Sequence, residues 1–329
     1  MTKDTHHFPL YARPAGVVFL DDDPDYVEML AQVMPTQWPV QCFTSPQSCI
    51  QALLAQRERH AQDLWRQQEV INRWRQGASL IRETLQYWRE NPMERYALAG
   101  VFAVDYAMPA MDGLQVLSSL QGWTGTRILL TGRADEQLAV DAFNQGLIEQ
   151  FIPKQARDMR ARLGATVALH HEQPEPARQQ IWRASLTPTQ DAWLHQPAIH
   201  EALRALARQQ TWVEWAVIGA PFGILALTAQ AHVHWLQLEP RDKLQELAEM
   251  AQAQGWDADL VQSIRRGNTL MDLEVPLALG TEHQARPQPA VALGTGEQAL
   301  YAARFEIDAA FGPGPQASHA HFMATLGRR

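Results

Sequence analysis

Four apolar residues, Val17-Val18-Phe19-Leu20, run straight into Asp21-Asp22-Asp23-Pro24-Asp25. A short, unbroken apolar run reads as a strand buried on both faces, and a parallel sheet covered by helices supplies both coverings. Its acidic end puts carboxylates at the strand's carboxyl tip. The helical spacing of Tyr26, Val27, Leu30, Val33 and Met34 then completes a βα unit. The pattern recurs downstream. Val40 to Phe43 reads as a strand, and Ser45 to Ala55 as a helix opened by a cap serine and Pro46. Ala99 to Val104, Arg127 to Leu130 and Gln150 to Ile152 are three more buried strands. Five strands alternating with helices predict an α/β fold with a parallel doubly wound sheet.

The rest of the chain needs a second domain. A length of 329 residues suggests about two. With 46% hydrophobic and 19% charged residues, each half can build a core. The organisation expected is a loose arm at 1–15, the α/β domain at 16–165, a linker at 166–186 and an α+β domain at 187–329. Trp212 to Ile218, Ile224 to Thr228 and His232 to Leu238 read as an antiparallel meander, and Leu300 to Ile307 as a late strand. Helices are expected at 187–210, 242–254 and 257–266. The α/β domain carries a surplus at 57–95. There Leu64, Gln67, Ile71, Trp74, Ala78, Ile81, Leu85 and Trp88 trace a heptad seam that runs through Gly77. The seam predicts one long helix, packed either on its own domain or against a second copy of the chain as a homodimer.

Several function classes are excluded or disfavoured. A net charge of −8 argues against attachment to nucleic acid by bulk positive charge. Two cysteines, Cys42 and Cys49, make no disulfide scaffold, and no signal-peptide pattern opens the chain, so a cytoplasmic location is expected with both thiols buried. The longest apolar stretch, Trp215 to Ala229, contains Pro221 and is too short to span a membrane.

The chemistry gathers at the carboxyl edge of the first sheet, where open α/β sheets hold their ligands. The first strand delivers Asp21 and Asp22, the third Asp105 and the fourth Thr131, and the fifth ends near Lys154. Three crowded carboxylates repel one another unless a cation lies among them, and all-oxygen donors suit Mg²⁺. An aspartate beside such an ion can attack phosphorus and form an acyl phosphate.

Val104-Asp105-Tyr106-Ala107-Met108-Pro109-Ala110-Met111-Asp112-Gly113 resembles the phosphoacceptor loop of the receiver domain of two-component response regulators. The resemblance covers residues 16–56 and 97–165 and implies a flavodoxin/CheY-like sheet. It implies Asp105 as phosphoacceptor, and Asp21, Asp22, Asp105 and the carbonyl of Ala107 around Mg²⁺. It further implies Thr131 as the switch hydroxyl, Phe151 as the switch aromatic and Lys154 as the phosphoryl-binding lysine. A sensor histidine kinase would be the donor, and the chain would be a phosphoacceptor with slow autodephosphorylation, not a turnover enzyme. A protein-interaction output is favoured, with a pseudo-receiver scaffold as an alternative. Two departures stand out: Gln155 follows Lys154 where the family has proline, and 84 residues separate Asp21 from Asp105.

Weaker signals remain. Asp21 and Asp23 have the spacing of haloacid-dehalogenase-type phosphatases, but Asp25 stands where those enzymes have Thr or Val. His232 with His234, and His319 with His321, each lie two apart, and solvent-facing histidines are the expected reading. Residues 247–266 have the spacing of a helix-turn-helix, which would make a DNA-binding regulator. Asp257 and Asp259 in its second helix would repel phosphates, so a helical pair covering the sheet is expected. The apolar meander around Phe222 could hold a small ligand.

Overall fold

The computed structural model describes residues 7–90, 92–132, 136–172, 175–281 and 285–326. The strands, in chain order, are β1 (Tyr11–Ala12), β2 (Gly16–Leu20), β3 (Val40–Phe43), β4 (Ala99–Asp105), β5 (Thr126–Thr131), β6 (Gln150–Pro153), β7 (Trp212–Gly219), β8 (Phe222–Thr228), β9 (Val233–Pro240), β10 (Thr269–Met271), β11 (Pro287–Pro289), β12 (Val291–Leu293) and β13 (Leu300–Ile307). The chain divides into two compact units. One is drawn from 14–64, 93–173 and 323–329, the other from 1–13, 65–92 and 174–322.

The first unit holds a five-stranded, all-parallel sheet in the order β3-β2-β4-β5-β6. Successive residues feed opposite faces. Val17, Phe19, Val101, Ala103, Ile128 and Leu130 enter one apolar cluster, and Val18, Leu20, Phe102, Val104 and Leu129 the other. Both faces are buried, so these strands are continuous apolar runs in sequence. Two caps set the segments beside the strand tips. Asp23 accepts the backbone N–H groups of Asp25 and Tyr26 and opens the helix Pro24–Gln32. Asp112 and Gln115 form a capping box at the helix Gly113–Ser119. Gly113 has to be glycine, because a Cβ there would collide with the carbonyl oxygen of Asp105.

The second unit is built on a six-stranded antiparallel sheet, β1-β7-β8-β9-β13-β12, with a β10-β11 pair beside it. The expected meander is its centre, and β13 coincides with the expected late strand. Trp88, Trp182 and Trp235 are fully buried in this unit's core, which accounts for part of the chain's high tryptophan content. The helices Lys243–Ala253 and Ala258–Arg265 bury Leu244, Leu247, Ala248, Ala251, Val261 and Ile264 in the same core.

Five expectations need correction. Residues 1–6 of the expected arm lie outside the described residues, and the rest is not loose: Phe8, Leu10 and Tyr11 are buried, and β1 pairs with β7, with Tyr11 opposite Ala216. The single long helix is two, Pro46–Arg75 and Leu80–Glu90. Gly77, at φ +100°, ends the first by a Schellman motif, with Gly77 N donating to Trp74 O and Ala78 N to Arg73 O. Residues 46–64 of the first helix belong to the parallel unit and 65–75 to the antiparallel one. The seam residues Ile71, Ile81, Leu85 and Trp88 are buried in the antiparallel unit's own core, whereas Leu64, Trp74 and Ala78 are half-buried. The expected linker at 166–186 is largely helical where it is described: Met159–Glu172 runs into it, and Pro176 stands at the first turn of a helix, Pro176–Arg183, that buries Trp182. The helix at 187–210 is divided by Pro197, which opens a new one, Pro197–Gln209. Cys42 is exposed, since β3 is an edge strand. Cys49 is buried as expected, with its thiol pushed up to about 12 by that burial.

Candidate phosphoryl and metal site

The parallel registers bring the strand ends level. Asp105 of β4 pairs with Leu130, and Thr131 of β5 with Pro153. The chain after β6 therefore starts beside the other tips, and Lys154 N donates to Thr131 O at 2.8 Å. From there the Lys154 ammonium lies 2.7 Å from Asp21 Oδ2 and 2.7 Å from Asp105 Oδ1. Asp21 Oδ1 accepts from Asp23 N at 3.1 Å. The loop after β4 is folded back by Tyr106 N donating to Leu130 O and Gly113 N to Tyr106 O.

Asp21, Asp105 and Thr131 are buried, whereas Asp22 is exposed. Burial raises the Asp21 carboxyl above the ordinary carboxylate range, and the Lys154 ammonium and Asp23 N–H offset part of the rise. Burial alone would lower Lys154, but its bonds to Asp105 and Asp21 outweigh it and hold the ammonium above its usual range. The one ammonium contacts two of the three strand-tip carboxylates, Asp21 and Asp105.

One carboxylate oxygen from each of Asp21, Asp22 and Asp105 lies within 4.8 Å of the others, the one such cluster of three or more His, Cys, Asp or Glu among the described residues. The donors are all hard oxygens, a set that fits Mg²⁺ and not a soft metal. The buried Thr131 Oγ1, at the tip of β5, makes no hydrogen bond among the described residues, so this hydroxyl is uncommitted.

The remaining expected residues fall nearby. Ala107 is exposed in the loop two residues past Asp105, and Phe151 is half-buried on β6, against the cluster holding Phe102 and Val104. The Lys154–Gln155 bond is trans, and the ammonium still reaches both carboxylates. Sequence reasoning missed Tyr26, whose ring centroid lies 4.6 Å from the Lys154 ammonium. In the sequence Tyr26 is only one apolar position of the first helix.

The histidines do not join the site. His234 is buried, contrary to the solvent-facing expectation. Trp212 Nε1 donates to its Nδ1 at 2.8 Å, and burial together with nearby Arg304 lowers its pKa to about 4. A cavity of about 470 Å³ in the antiparallel unit is lined by Val275, Leu279, Arg286, Ile307 and Phe311. Phe222 does not line it.

A five-stranded parallel sheet in this order, with acids at the tips of β2 and β4 and a lysine just after β6, is the receiver-type doubly wound fold. Over nearly its whole length the chain is similar to the structure of the Legionella pneumophila response regulator LqsR, with 22% identity, 92% of this chain and 91% of that chain covered, and a TM-score of 0.66. It is also similar to a response regulator receiver domain protein from Clostridium thermocellum, at 17% identity over 48% of this chain and 94% of that one, TM-score 0.29. A third similar structure is the signal receiver domain of an HD domain-containing protein from Pseudomonas fluorescens Pf-5, at 21% identity over 49% of this chain and 98% of that one, TM-score 0.32. No family model matches the chain, and no curated protein matches it. No helix among the described residues is long and apolar enough to cross a membrane.

Proposed function

We propose that the chain is a response regulator of a two-component system, taking a phosphoryl group from a sensor histidine kinase onto Asp105. The observation that carries this reading is the Lys154 ammonium lying 2.7 Å from both Asp21 and Asp105 at adjoining strand tips. A structural ion pair needs one carboxylate. Two buried carboxylates on one amine, with a third exposed beside them, fit a site whose charge is completed by ligands.

The Asp105 carboxylate attacks phosphorus. A P–O bond forms, the P–N bond to the donor histidine breaks, and its electron pair returns to the imidazole nitrogen. Lys154 neutralises charge on Asp105 and then on the transferred oxygens, and Thr131 supplies a hydroxyl donor to one of them. Asp21, Asp22, Asp105 and the Ala107 carbonyl are the residues that would hold Mg²⁺, which when bound supplies positive charge to the phosphoryl oxygens. The Thr131 movement and the response of Phe151 shift a two-state surface of the parallel unit. The protein is a phosphoacceptor that loses its phosphoryl group slowly, not a turnover enzyme, and acts in the cytoplasm. The output is protein interaction. A DNA-binding output is disfavoured by the acids Asp257 and Asp259 at the start of the second helix and by the burial of both helices' apolar faces in the sheet core.

Incubation with acetyl phosphate and Mg²⁺ should add one phosphoryl mass to the intact protein, and Asp105→Asn should add none. An unmodified wild type would leave the fixed-scaffold reading in its place.

A further inference from the structure

We infer that Tyr26 is a positioning residue for Lys154: its ring holds the ammonium between Asp21 and Asp105, which sets how fast Asp105 takes up a phosphoryl group. The inference rests on the proposed function for its rate effect, though the positioning itself does not.

Lysine is a long chain with four rotatable bonds, and held by charge alone its ammonium can swing toward either carboxylate or into water. Here the side chain is only 23% exposed, and its Nζ contacts Asp21 on one strand tip and Asp105 on another. A third contact narrows the remaining freedom. The ammonium lies 4.6 Å from the Tyr26 ring centroid, within the range where the electron-rich face attracts a cation. Tyr26 is itself fixed. It follows Pro24 and Asp25 in the first turn of the Pro24–Gln32 helix, its N–H is capped by Asp23 Oδ1, and its ring packs against the cluster containing Val17, Phe19 and Val27. The same segment thus carries the Asp21 ligand, the Asp23 cap and the ring that steers Lys154.

The contribution is the ring's. The Tyr26 hydroxyl is buried and makes no hydrogen bond among the described residues, so no polar tether to the site runs through it. Phenylalanine should therefore serve nearly as well, and a side chain without a π face should not. A cation–π contact at a partly desolvated site gives about three- to tenfold in a rate that depends on the ammonium's placement.

The full-length chain offers a direct probe, because its lysines are Lys3, Lys154 and Lys243. With lysine labelled at the ε-carbon, the Lys154 methylene should be displaced upfield by the ring current, and Lys154→Arg identifies that resonance by deleting it. Tyr26→Phe should keep the displacement and near wild-type uptake from acetyl phosphate with Mg²⁺. Tyr26→Leu should lose the displacement and slow uptake about three- to tenfold, with circular dichroism unchanged. Tyr26→Met, also unable to offer a ring, should repeat the result if the leucine variant folds poorly. A Lys154 resonance indifferent to these changes overturns the inference, as does wild-type uptake by the non-aromatic variants. If wild-type protein takes up no phosphoryl group, the proposed function fails, and the resonance alone then decides the positioning.

Discussion

In the parallel unit the buried polar atoms collect at the strand tips, where Asp21, Asp105 and Thr131 open onto Lys154 and the exposed Asp22. In the antiparallel unit one set of them lies in mid-core and is tied together. Tyr11 OH donates to Glu214 at 2.7 Å and lies 3.3 Å from Tyr87 OH, Gln67 donates to Tyr87 OH at 3.0 Å, and Trp182 Nε1 donates to Gln67 at 2.9 Å. Gln179 adds bonds to the backbone of Leu10 and Tyr11. The first arrangement leaves capacity unspent, with a hydroxyl lacking a partner and carboxylates in excess. The second spends much of its polar capacity in mutual bonds, although Trp235 Nε1 and Gln237 Oε1 have no partner among the described residues. Neither burial nor a single unpaired atom therefore marks a functional residue. Several charged groups gathered around one hollow do.

The comparison can be tested from the large effect to the small. Trp182→Ala removes a fully buried indole and its bond to Gln67, and should cost about 3–5 kcal/mol in denaturant unfolding. Phosphoryl uptake at Asp105 should survive wherever the variant is folded. Uptake lost from folded protein would join the mid-core network to the site and break the contrast.

The next effect is a pH dependence. Burial raises Glu239, on β9, from the usual 4.5 to about 7, despite a hydrogen bond from Gln237. Its folded pKa lies above its unfolded one, so the stability it contributes is complete below about pH 4.5 and is lost as pH rises through about 7. The slope should be about 1.4 kcal/mol per pH unit at most, and Glu239→Gln should flatten it. An unchanged slope in that variant would assign the dependence elsewhere.

Tyr11→Phe removes a hydrogen bond to the fully buried Glu214 and should cost about 1.5–3 kcal/mol, with no change in phosphoryl uptake. Smallest is Asp112→Ala, which breaks the capping box after the Asp105 loop and should cost about 1 kcal/mol. Unlike Tyr11→Phe it should also slow uptake, since it loosens the segment that folds the loop back. Equal uptake in both variants would blur the distinction between the two units.

How legible each unit was in the sequence follows the same divide. The five parallel strands and the residues at their tips were readable because strands buried on both faces leave unbroken apolar runs, and the acids that end those runs stand out. β1 was not readable. Two residues form a strand only because β7, some two hundred positions later, offers an edge. The seam through Gly77 misled because the two helices flanking the Schellman turn bury matching faces in one core, so the heptad phase carries across a reversal it does not reveal. Tyr26 was hidden for a related reason: its partner arrives from the far side of the sheet's sequence, and an aromatic in a helix's first turn reads simply as core.

That each unit is drawn from separated stretches of chain bears on how the protein emerges from the ribosome. β1 is made well before its partner β7, which follows about two hundred residues behind, roughly 10–40 s at ordinary translation speeds. During that interval Phe8, Leu10 and Tyr11 lack the strand that pairs with them, so this nascent segment is a natural client for chaperones that bind exposed apolar segments.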